Sequence, residues 1–242
     1  MKGVVLAGGL GTRFHPVTRV VNKHLLDVFD EPMVFYPIRT LIRAGITDIV
    51  IVSGDELEQF KHLLDGQLDV NVSFAYQPGS GGIADALART EEHVGREPVV
   101  VVLGDNIFQD DITPYVGEFT QQGKGAKILL KDVAIEDARR FGVASVSDGK
   151  ITGIVEKPAA PESTFVVTGC YMFDERVFDF IRTLTPSARG ELEVTDLNNI
   201  YIGEGTMTYD VLSGWWTDAG TPASKLKASI LVALQKGVTF HQ

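Results

Sequence analysis

The chain has 242 residues, of which 44% are hydrophobic and 22% charged, a composition typical of globular proteins. The single cysteine, Cys170, lies in an apolar run, so we expect a buried free thiol and a core that needs no disulfide. The net charge of −10 argues against a surface for DNA or RNA. Because no apolar run could span a membrane and no signal peptide opens the chain, we expect a cytoplasmic protein without a membrane partner.

The first 140 or so residues alternate between two kinds of segment. Short β-branched runs predict strands at Gly3–Ala7, Asp48–Ser53, Val70–Tyr76, Pro98–Leu103 and Ala126–Lys131. Segments of helical periodicity lie between them, at Met33–Ala44, Glu56–Leu64, Ile83–His93 and Thr113–Gln121. Since the strand segments are apolar nearly throughout, they predict a parallel sheet with helices on both faces.

Beyond residue 140 the predicted strands follow one another closely. They are Phe141–Val146, Lys150–Glu156 and Phe165–Phe173, and helices are expected at Glu175–Leu184, Glu193–Gly203 and Thr221–Lys236. We therefore predict an α/β fold, with a Rossmann-like, mixed and mainly parallel sheet flanked by helices and a smaller β-rich sub-region. One domain should cover residues 1–242, with two halves that meet near residue 140.

A glycine-rich loop, Leu6-Ala7-Gly8-Gly9-Leu10-Gly11-Thr12-Arg13, follows the first predicted strand. Glycines at such a place let backbone N–H groups approach a phosphate closely. The loop is neither a Walker A loop, which needs Gly-Lys-Ser/Thr, nor a dinucleotide fingerprint, because Phe14 stands at the third glycine position. Arg13 and Lys23 make the loop cationic, which favours a phosphate site over a plain turn.

Several ordered motifs make the chain resemble the sugar-nucleotide pyrophosphorylases, a family of nucleotidyltransferases. They are the glycine loop, Lys23-His24-Leu25-Leu26, Leu103-Gly104-Asp105-Asn106, Glu156-Lys157-Pro158, Val167-Thr168-Gly169, Arg189-Gly190-Glu191-Leu192-Glu193 and Trp216-Thr217-Asp218-Ala219-Gly220-Thr221. The resemblance is greatest to family members that act on dTTP and glucose 1-phosphate. It implies Mg²⁺-dependent transfer of dTMP to the sugar phosphate, which gives dTDP-glucose and pyrophosphate for deoxysugar and polysaccharide biosynthesis.

The resemblance also implies a role for each matching residue. The first half would hold the nucleotide, through Leu6, Gly8, Gly9, Gly11, Thr12, Arg13, Lys23, Gln77, Gly82 and Asp105. The second half would hold the sugar phosphate, and the implied contacts to it are Asn106, Gly142, Glu156, Lys157 and Val167. Gln77 and Gly82 would read the pyrimidine edge. Asp105 and Asp218 would bind Mg²⁺, and the implied catalytic residues are Arg13, Lys23 and Lys157.

The chemistry of the reaction calls for the same residue types. A sugar phosphate is largely a dianion near neutrality, because its second pKa is about 6, so it needs no activating base. Bringing two polyanions together and stabilising the leaving pyrophosphate are the remaining obstacles. Cations, positioning and a metal meet both needs.

Some of these residues also have simpler interpretations. Asp105 could have a purely structural role in a turn, and Asp218 could cap the helix that follows it. Trp215-Trp216 is interpreted as a core or subunit contact rather than a platform for the base. Lys124 and Lys127 are interpreted as solvated lysines.

Four features depart from the pattern of the family. His24 stands where many relatives have glutamine, Asp27 where proline is common, and Phe141 where a tyrosine is frequent beside the sugar. Longer bacterial members carry a further C-terminal segment that helps to form a regulatory nucleotide site. Because the chain stops at Gln242, we expect that site to be missing or altered.

Other functions stay open. A uridylyl-, cytidylyl- or guanylyltransferase would use the same site, and the single methyl group that separates thymine from uracil is worth only about 1–3 kcal/mol of selectivity. A non-catalytic sugar-nucleotide sensor is disfavoured, because a sensor would not need the pyrophosphate and metal groups together. The residues concerned are Arg13, Asp105, Lys157 and Asp218. An NAD-dependent enzyme is disfavoured, because it would need a third glycine where this loop has Phe14. No nucleic-acid polymer is expected as a partner, and a homo-oligomer is compatible with the sequence.

Overall fold

The computed structural model describes residues 1–239. Within them the strands are β1 (Lys2–Leu6), β2 (Asp27–Val28), β3 (Glu31–Pro32), β4 (Asp48–Ser53), β5 (Asn71–Tyr76), β6 (Val99–Leu103), β7 (Asn106–Phe108), β8 (Ala126–Asp132), β9 (Gly142–Ser147), β10 (Lys150–Glu156), β11 (Phe165–Phe173), β12 (Met207–Val211) and β13 (Trp216–Asp218). The α-helices are α1 (Phe35–Arg43), α2 (Leu57–Leu64), α3 (Ile83–Ala88), α4 (Glu91–Val94), α5 (Thr113–Gln122), α6 (Ile135–Ala138), α7 (Val177–Ile181), α8 (Val194–Gly203) and α9 (Pro222–Gln235). In this part of the chain, no helix is long and apolar enough to cross a membrane.

β1 lies at the centre of the main sheet. Its neighbours β4 and β6 run parallel to it, and β5 continues the parallel run beyond β4. On the other side, β11 pairs antiparallel with β6, β8 and β9, while β10 pairs with β9 and β12 runs parallel to β8. The predicted α/β fold with a mixed, mainly parallel sheet is therefore confirmed. The strands after residue 140 join this same sheet.

The central strands are apolar throughout because both of their faces are covered. Val4 and Val50 point into one hydrophobic cluster with α3 and α8, and Val5 and Ile51 point into a second cluster with α1 and α2. Successive side chains of a strand face opposite ways, so a doubly covered strand needs an apolar residue at each position. Each such burial contributes about 1.5–3 kcal/mol. Cys170 is a buried free thiol in the second cluster, as predicted.

Lys127 differs from its predicted solvated state. It lies on β8, an interior strand between β11 and β12, and it is 5% exposed. Its ammonium group lies 2.7 Å from Glu118 Oε2 and also pairs with Asp210. The prediction was wrong because the sequence did not reveal β12, which turns β8 from an edge into an interior strand. Lys124 is exposed, as expected.

A short antiparallel ribbon outside the main sheet positions two acidic residues. β7 begins directly after Asp105, and β13 ends at Asp218. Their pairing sets Asp218 opposite Asn106, and the Ala219 N–H donates to the Asp105 carbonyl over 2.7 Å. The ribbon therefore brings together two parts of the chain that are far apart in sequence. Neither of its three-residue strands was predicted.

Candidate active site

Two adjoining cavities lie where β1 and β6 end. The loop cavity, of about 270 Å³, is lined by Leu6, Gly8, Gly9, Lys23, His24, Gln77, Ser80, Gly82, Ile83, Ala86, Leu103, Asp105 and Glu191. The strand cavity, of about 210 Å³, is lined among others by Arg13, Asp105, Asn106, Arg140, Gly142, Glu156, Lys157, Val167, Arg189 and Asp218. Asp105 and Glu191 line both, so the two cavities share a wall.

The backbone after β1 requires glycine at two positions. A Cβ on Gly8 would lie 2.7 Å from Gln77 Oε1, closer than such contacts come in proteins. Gly11 has a φ of +61°, in the left-handed region, and packs on Thr18 and on the Lys23 side chain. These two glycines therefore shape the loop, but Gly11 and Thr12 line neither cavity. Of the predicted loop residues, Leu6, Gly8 and Gly9 line the loop cavity, whereas Arg13 lines the strand cavity.

The far wall of the loop cavity is held by Gln77 and Gly82. The buried Gln77 amide donates to the Gly82 carbonyl over 3.2 Å and to Asp85 Oδ2 over 2.9 Å. Gly82 has a φ of +96°, and a Cβ there would lie 2.5 Å from the Leu192 carbonyl oxygen. The wall is therefore tied to the segment that carries Glu191 and Leu192.

Lys23 and Asp105 form an ion pair at the shared wall. Lys23 Nζ lies 2.6 Å from Asp105 Oδ2, and each side chain is only 14% exposed. Burial alone would raise the pKa of Asp105, but the Lys23 charge and the hydrogen bonds from Lys23 and Asn106 act together to hold that pKa well below its usual range. The carboxylate therefore stays ionised throughout the physiological pH range.

Asp218 and Arg13 converge on the same place. A Cβ on Gly220 would lie 3.2 Å from Asp105 Oδ2, 3.5 Å from Asp218 Oδ2 and 3.9 Å from Arg13 Nη1. One oxygen of each carboxylate therefore lies within 3.5 Å of the same point beside Gly220. Arg140 Nη2 lies 3.6 Å from Asp218 Oδ1. Burial, and then the charge of Asp105, raise the pKa of Asp218 to about 6.

The simpler interpretation of Asp218 as a helix cap is excluded, because the cap of α9 is Thr221. The Thr221 hydroxyl accepts from the Ser224 N–H over 3.1 Å, and the Ser224 hydroxyl accepts from the Thr221 N–H over 3.0 Å. This reciprocal pair is a capping box, which satisfies the first turn of the helix. The Asp218 carboxylate is thereby left to face the strand cavity.

Glu156 organises the opposite side of the strand cavity. Its Oε1 lies 2.8 Å from Lys157 Nζ and 3.7 Å from Arg189 Nη2. Its Oε2 accepts from the Thr195 hydroxyl over 2.8 Å. Gly142 pairs with Glu156 across β9 and β10, and its missing side chain leaves the carboxylate uncovered. The side wall therefore alternates cations and carboxylates.

Asn106 fixes the wall between the cavities. Its Nδ2 donates to Asp105 Oδ1 over 2.9 Å. Its Oδ1 accepts from the Gly169 N–H over 3.0 Å and from the Trp216 indole over 2.7 Å. The side chain is 2% exposed, so these contacts join β7, β11 and β13 within the core. Trp216 is buried beside Phe141, as its core interpretation predicted, with ring centroids 5.1 Å apart.

Comparison with known proteins identifies what kind of site this is. The nucleotidyl transferase family matches residues 2–234 of the chain. The chain belongs to that family. It is 41% identical to the glucose-1-phosphate thymidylyltransferase of Neisseria meningitidis, across 96% of this chain and 82% of that protein.

Solved structures agree with this assignment. A glucose-1-phosphate thymidylyltransferase from Bacillus anthracis, crystallised with sucrose, is 48% identical, with a TM-score of 0.89 over 100% of this chain and 98% of that one. A UDP-glucose pyrophosphorylase from Acinetobacter baumanii superposes with a TM-score of 0.83 over 97% and 93% of the two chains. At 24% identity, that second match shows only the shared fold. The predicted family is confirmed, and the chain is a nucleotidyltransferase.

The structure adds site residues that the sequence did not single out. Arg140 and Arg189 bring two further guanidinium groups to the strand cavity. Arg189 pairs with Glu193 Oε2 over 2.7 Å, and Arg140 stacks on Phe141 with 5.3 Å between guanidinium and ring. Arg189 belongs to a motif already quoted for the family, so the sequence did hold a signal for it. Arg140 had no such signal, because only folding sets it beside Asp218.

The neutral ring of His24 packs against the wall that the two cavities share, next to Gly104. It is 2% exposed, its Nδ1 lies 2.7 Å from Asn22 Oδ1, and a Cβ on Gly104 would lie 2.8 Å from its ring. Burial first, and then the charge of Lys23, lower the pKa of His24 to about 3. A protonated ring at this place would repel Lys23.

This low pKa predicts a specific acid sensitivity of the fold. Below pH 6.5 the unfolded chain protonates His24 while the folded chain does not, so its contribution to stability is complete above pH 6.5 and is lost as the pH falls toward about 3. Relative to the His24→Gln variant, the wild type should lose up to about 1.4 kcal/mol per pH unit below 6.5. Urea unfolding at pH 7.5, 5.5 and 4.5 measures that difference.

The matched control for this experiment is His62→Gln, which removes a histidine from the exposed surface of α2. We expect its stability to follow the wild type at all three pH values. If the free energy of unfolding of H24Q also changes with pH as that of the wild type does, His24 is not a buried neutral histidine.

Proposed function

We propose that this nucleotidyltransferase transfers dTMP from dTTP to glucose 1-phosphate, with dTDP-glucose and pyrophosphate as products. The observation that carries the proposal is the pair of polar cavities that share Asp105 as a wall. One is built on a glycine loop and the other on Glu156 and Lys157, so two substrates can meet at the carboxylate between them. The relatives that bear this activity in their names match nearly the whole chain.

The reaction needs no base. An oxygen of the sugar phosphate attacks the α-phosphorus of dTTP, and the bond from that phosphorus to the oxygen that bridges to the β-phosphate breaks. The electron pair leaves with pyrophosphate. Since the attacking phosphate is already largely dianionic, positioning and charge stabilisation supply the catalysis.

The nucleotide belongs in the loop cavity. The backbone of Gly8 and Gly9 would approach the phosphates, and Lys23, together with Arg13 from the adjoining strand cavity, would hold the departing pyrophosphate. Lys23 is paired with Asp105 in the structure, so it already lies at the point where the phosphates must come. Gln77 and Gly82 form the wall proposed for the pyrimidine.

The sugar phosphate belongs in the strand cavity. Lys157 and Arg189 both approach Oε1 of Glu156, so one phosphate could bind to both of them. Gly142 and Val167 would lie against the glucose, together with the Glu156 carboxylate, which can accept from sugar hydroxyls. The buried Asn106 would then act mainly by positioning Asp105.

The residues present suit a Mg²⁺ ion at Asp105 and Asp218. An oxygen of each carboxylate lies near Gly220, and burial first, and then the charge of Asp105, raise the pKa of Asp218. Among residues 1–239, no group of three or more His, Cys, Asp or Glu side chains could hold a metal. Such an ion would take its other ligands from phosphate oxygens and water, as Mg²⁺ usually does, and would neutralise charge on the nucleotide.

The uridylyltransferase alternative differs only in the base. A panel of nucleoside triphosphates against sugar 1-phosphates, with pyrophosphate release as the readout, separates the two. The proposal requires dTTP and glucose 1-phosphate to give the highest kcat/KM, with no release when Mg²⁺ is withheld. Preference for UTP, or for another sugar, would replace the proposed substrates.

Replacement of Arg13 should impair turnover without loosening the fold. The side chain is exposed, so Arg13→Ala should leave the Tm unchanged, yet the lost charge should lower kcat by about 10³-fold or more. Arg19→Ala is the matched control, since it removes an exposed arginine from the next turn. A kcat for R13A close to that of R19A would remove Arg13 from the mechanism.

Replacement of Lys157 should affect one substrate only. Lys157→Ala should raise the KM for glucose 1-phosphate by about 10–100-fold, the value of a charge-assisted hydrogen bond, and leave the KM for dTTP nearly unchanged. Lys150→Ala, at the exposed start of the same strand, is the control. Equal damage to both substrates would mean that Lys157 has been assigned to the wrong ligand.

The metal pair should behave as one unit. Asp105→Asn and Asp218→Asn should each abolish most activity, excess Mg²⁺ should rescue them only in part, and the double variant should be scarcely worse than either. Turnover across a Mg²⁺ titration tests this, with the exposed Asp69→Asn as control. Additive losses in the double variant would contradict a shared ion.

A further inference from the structure

A buried amide without partners lies on the wall of the strand cavity. Asn198 is 1% exposed and is one of the residues that line this cavity. Neither its Oδ1 nor its Nδ2 has a hydrogen-bond partner, and among residues 1–239 no other side chain has two buried polar atoms in that condition. An unsatisfied buried group costs about 1–3 kcal/mol, so a ligand that supplies the missing partners is the natural explanation.

Asn198 lies on the helix face that carries other cavity residues. It is one turn beyond Val194 and Thr195 on α8, and both of these also line the strand cavity. The Thr195 hydroxyl donates to Glu156 Oε2 over 2.8 Å. The amide is thus on the side of the cavity proposed for the glucose ring.

The neighbouring Asn199 shows what a structural amide on this helix looks like. Its Nδ2 donates to the Ile154 carbonyl over 2.9 Å, and its Oδ1 accepts from the Ile154 N–H over 3.0 Å. These two bonds attach α8 to β10. Anchoring of the helix therefore depends on Asn199, and Asn198 has no part in it.

The chemistry of the amide selects the kind of ligand group. Asn198 offers one acceptor and one donor group side by side, and a sugar hydroxyl can both donate and accept. A phosphate could use only the Nδ2 donor and would leave Oδ1 unpaired.

We propose that Asn198 binds a ring hydroxyl of the sugar and is a specificity-determining residue for the sugar 1-phosphate. This inference rests on the proposed function. Because the amide has no protein partner to give up, its hydrogen bonds to the sugar are a net gain on binding. Glu156 differs in this respect, since it must share a carboxylate already bound by Lys157 and Thr195.

The test replaces the amide by an apolar group of similar shape and removes sugar hydroxyls one at a time. Asn198→Leu is compared with wild type on glucose 1-phosphate and on its 2-, 3-, 4- and 6-deoxy analogues at saturating dTTP. The variant should lower kcat/KM for glucose 1-phosphate about tenfold and leave the KM for dTTP unchanged. For one deoxy analogue, which lacks the contacted hydroxyl, variant and wild type should be equal.

Thermal unfolding without substrates separates this role from a structural one. Asn198→Leu should have a Tm equal to or above that of the wild type, since it deletes a buried amide that bonds to nothing. The matched control Asn199→Leu should lower the Tm and affect all analogues alike. Should N198L fail to fold, Asn198→Ala carries the same comparison among analogues.

Two results would overturn the inference: an equal loss with every deoxy analogue, or a Tm for both Asn198 variants lowered as in N199L. Failure of the proposed function is visible separately, in the wild type. If the wild type does not use dTTP with glucose 1-phosphate, the deoxy series is made from the sugar 1-phosphate that it does accept.

Discussion

Asp105 and Asp218 place two negative charges beside each other in the wall of a largely buried site, and this repulsion governs the groups around them. Burial and this repulsion together raise the pKa of Asp218, while Lys23 helps to keep Asp105 ionised by direct contact. Arg13 and Arg140 approach the same pair from the solvent side. Under the proposed function a cation would lie between these carboxylates, and the phosphates of the nucleotide would bind both to it and to the guanidinium groups.

An acidic protein with a net charge of −10 can bind two polyanions because its cations are concentrated locally. In the strand cavity each cation lies against a carboxylate, as Lys157 does with Glu156 and Arg189 with Glu193. Such pairing holds the side chains in place before a phosphate arrives, which lowers the entropy lost on binding. The free energy of phosphate binding is therefore the difference between two sets of ion pairs, so it is sensitive to small shifts in their geometry.

The rigidity of this arrangement comes from contacts within the protein. Asn106 links Asp105 to two further strands, His24 supports Gly104 as an uncharged ring, and the Gly82 turn is fixed against Leu192. Sites that act by electrostatic stabilisation depend on such preorganisation, because the charges must be in place before the reaction. Asn198 is the exception, since its amide has no internal partner and its function lies with the ligand.

Sequence alone determined the parallel core, since apolar runs such as those of β1 and β6 leave little choice of partner. It also predicted the glycine loop and the positions of Asp105 and Lys157, because each follows a strand and carries local chemistry. The family resemblance implied that Asp218 lies with Asp105, but only the tertiary structure shows how they meet, through a ribbon of two three-residue strands too short to show periodicity. The burial of Lys127, the approach of Arg140 and the unpartnered amide of Asn198 depend on neighbours distant in sequence, and no local pattern encodes them.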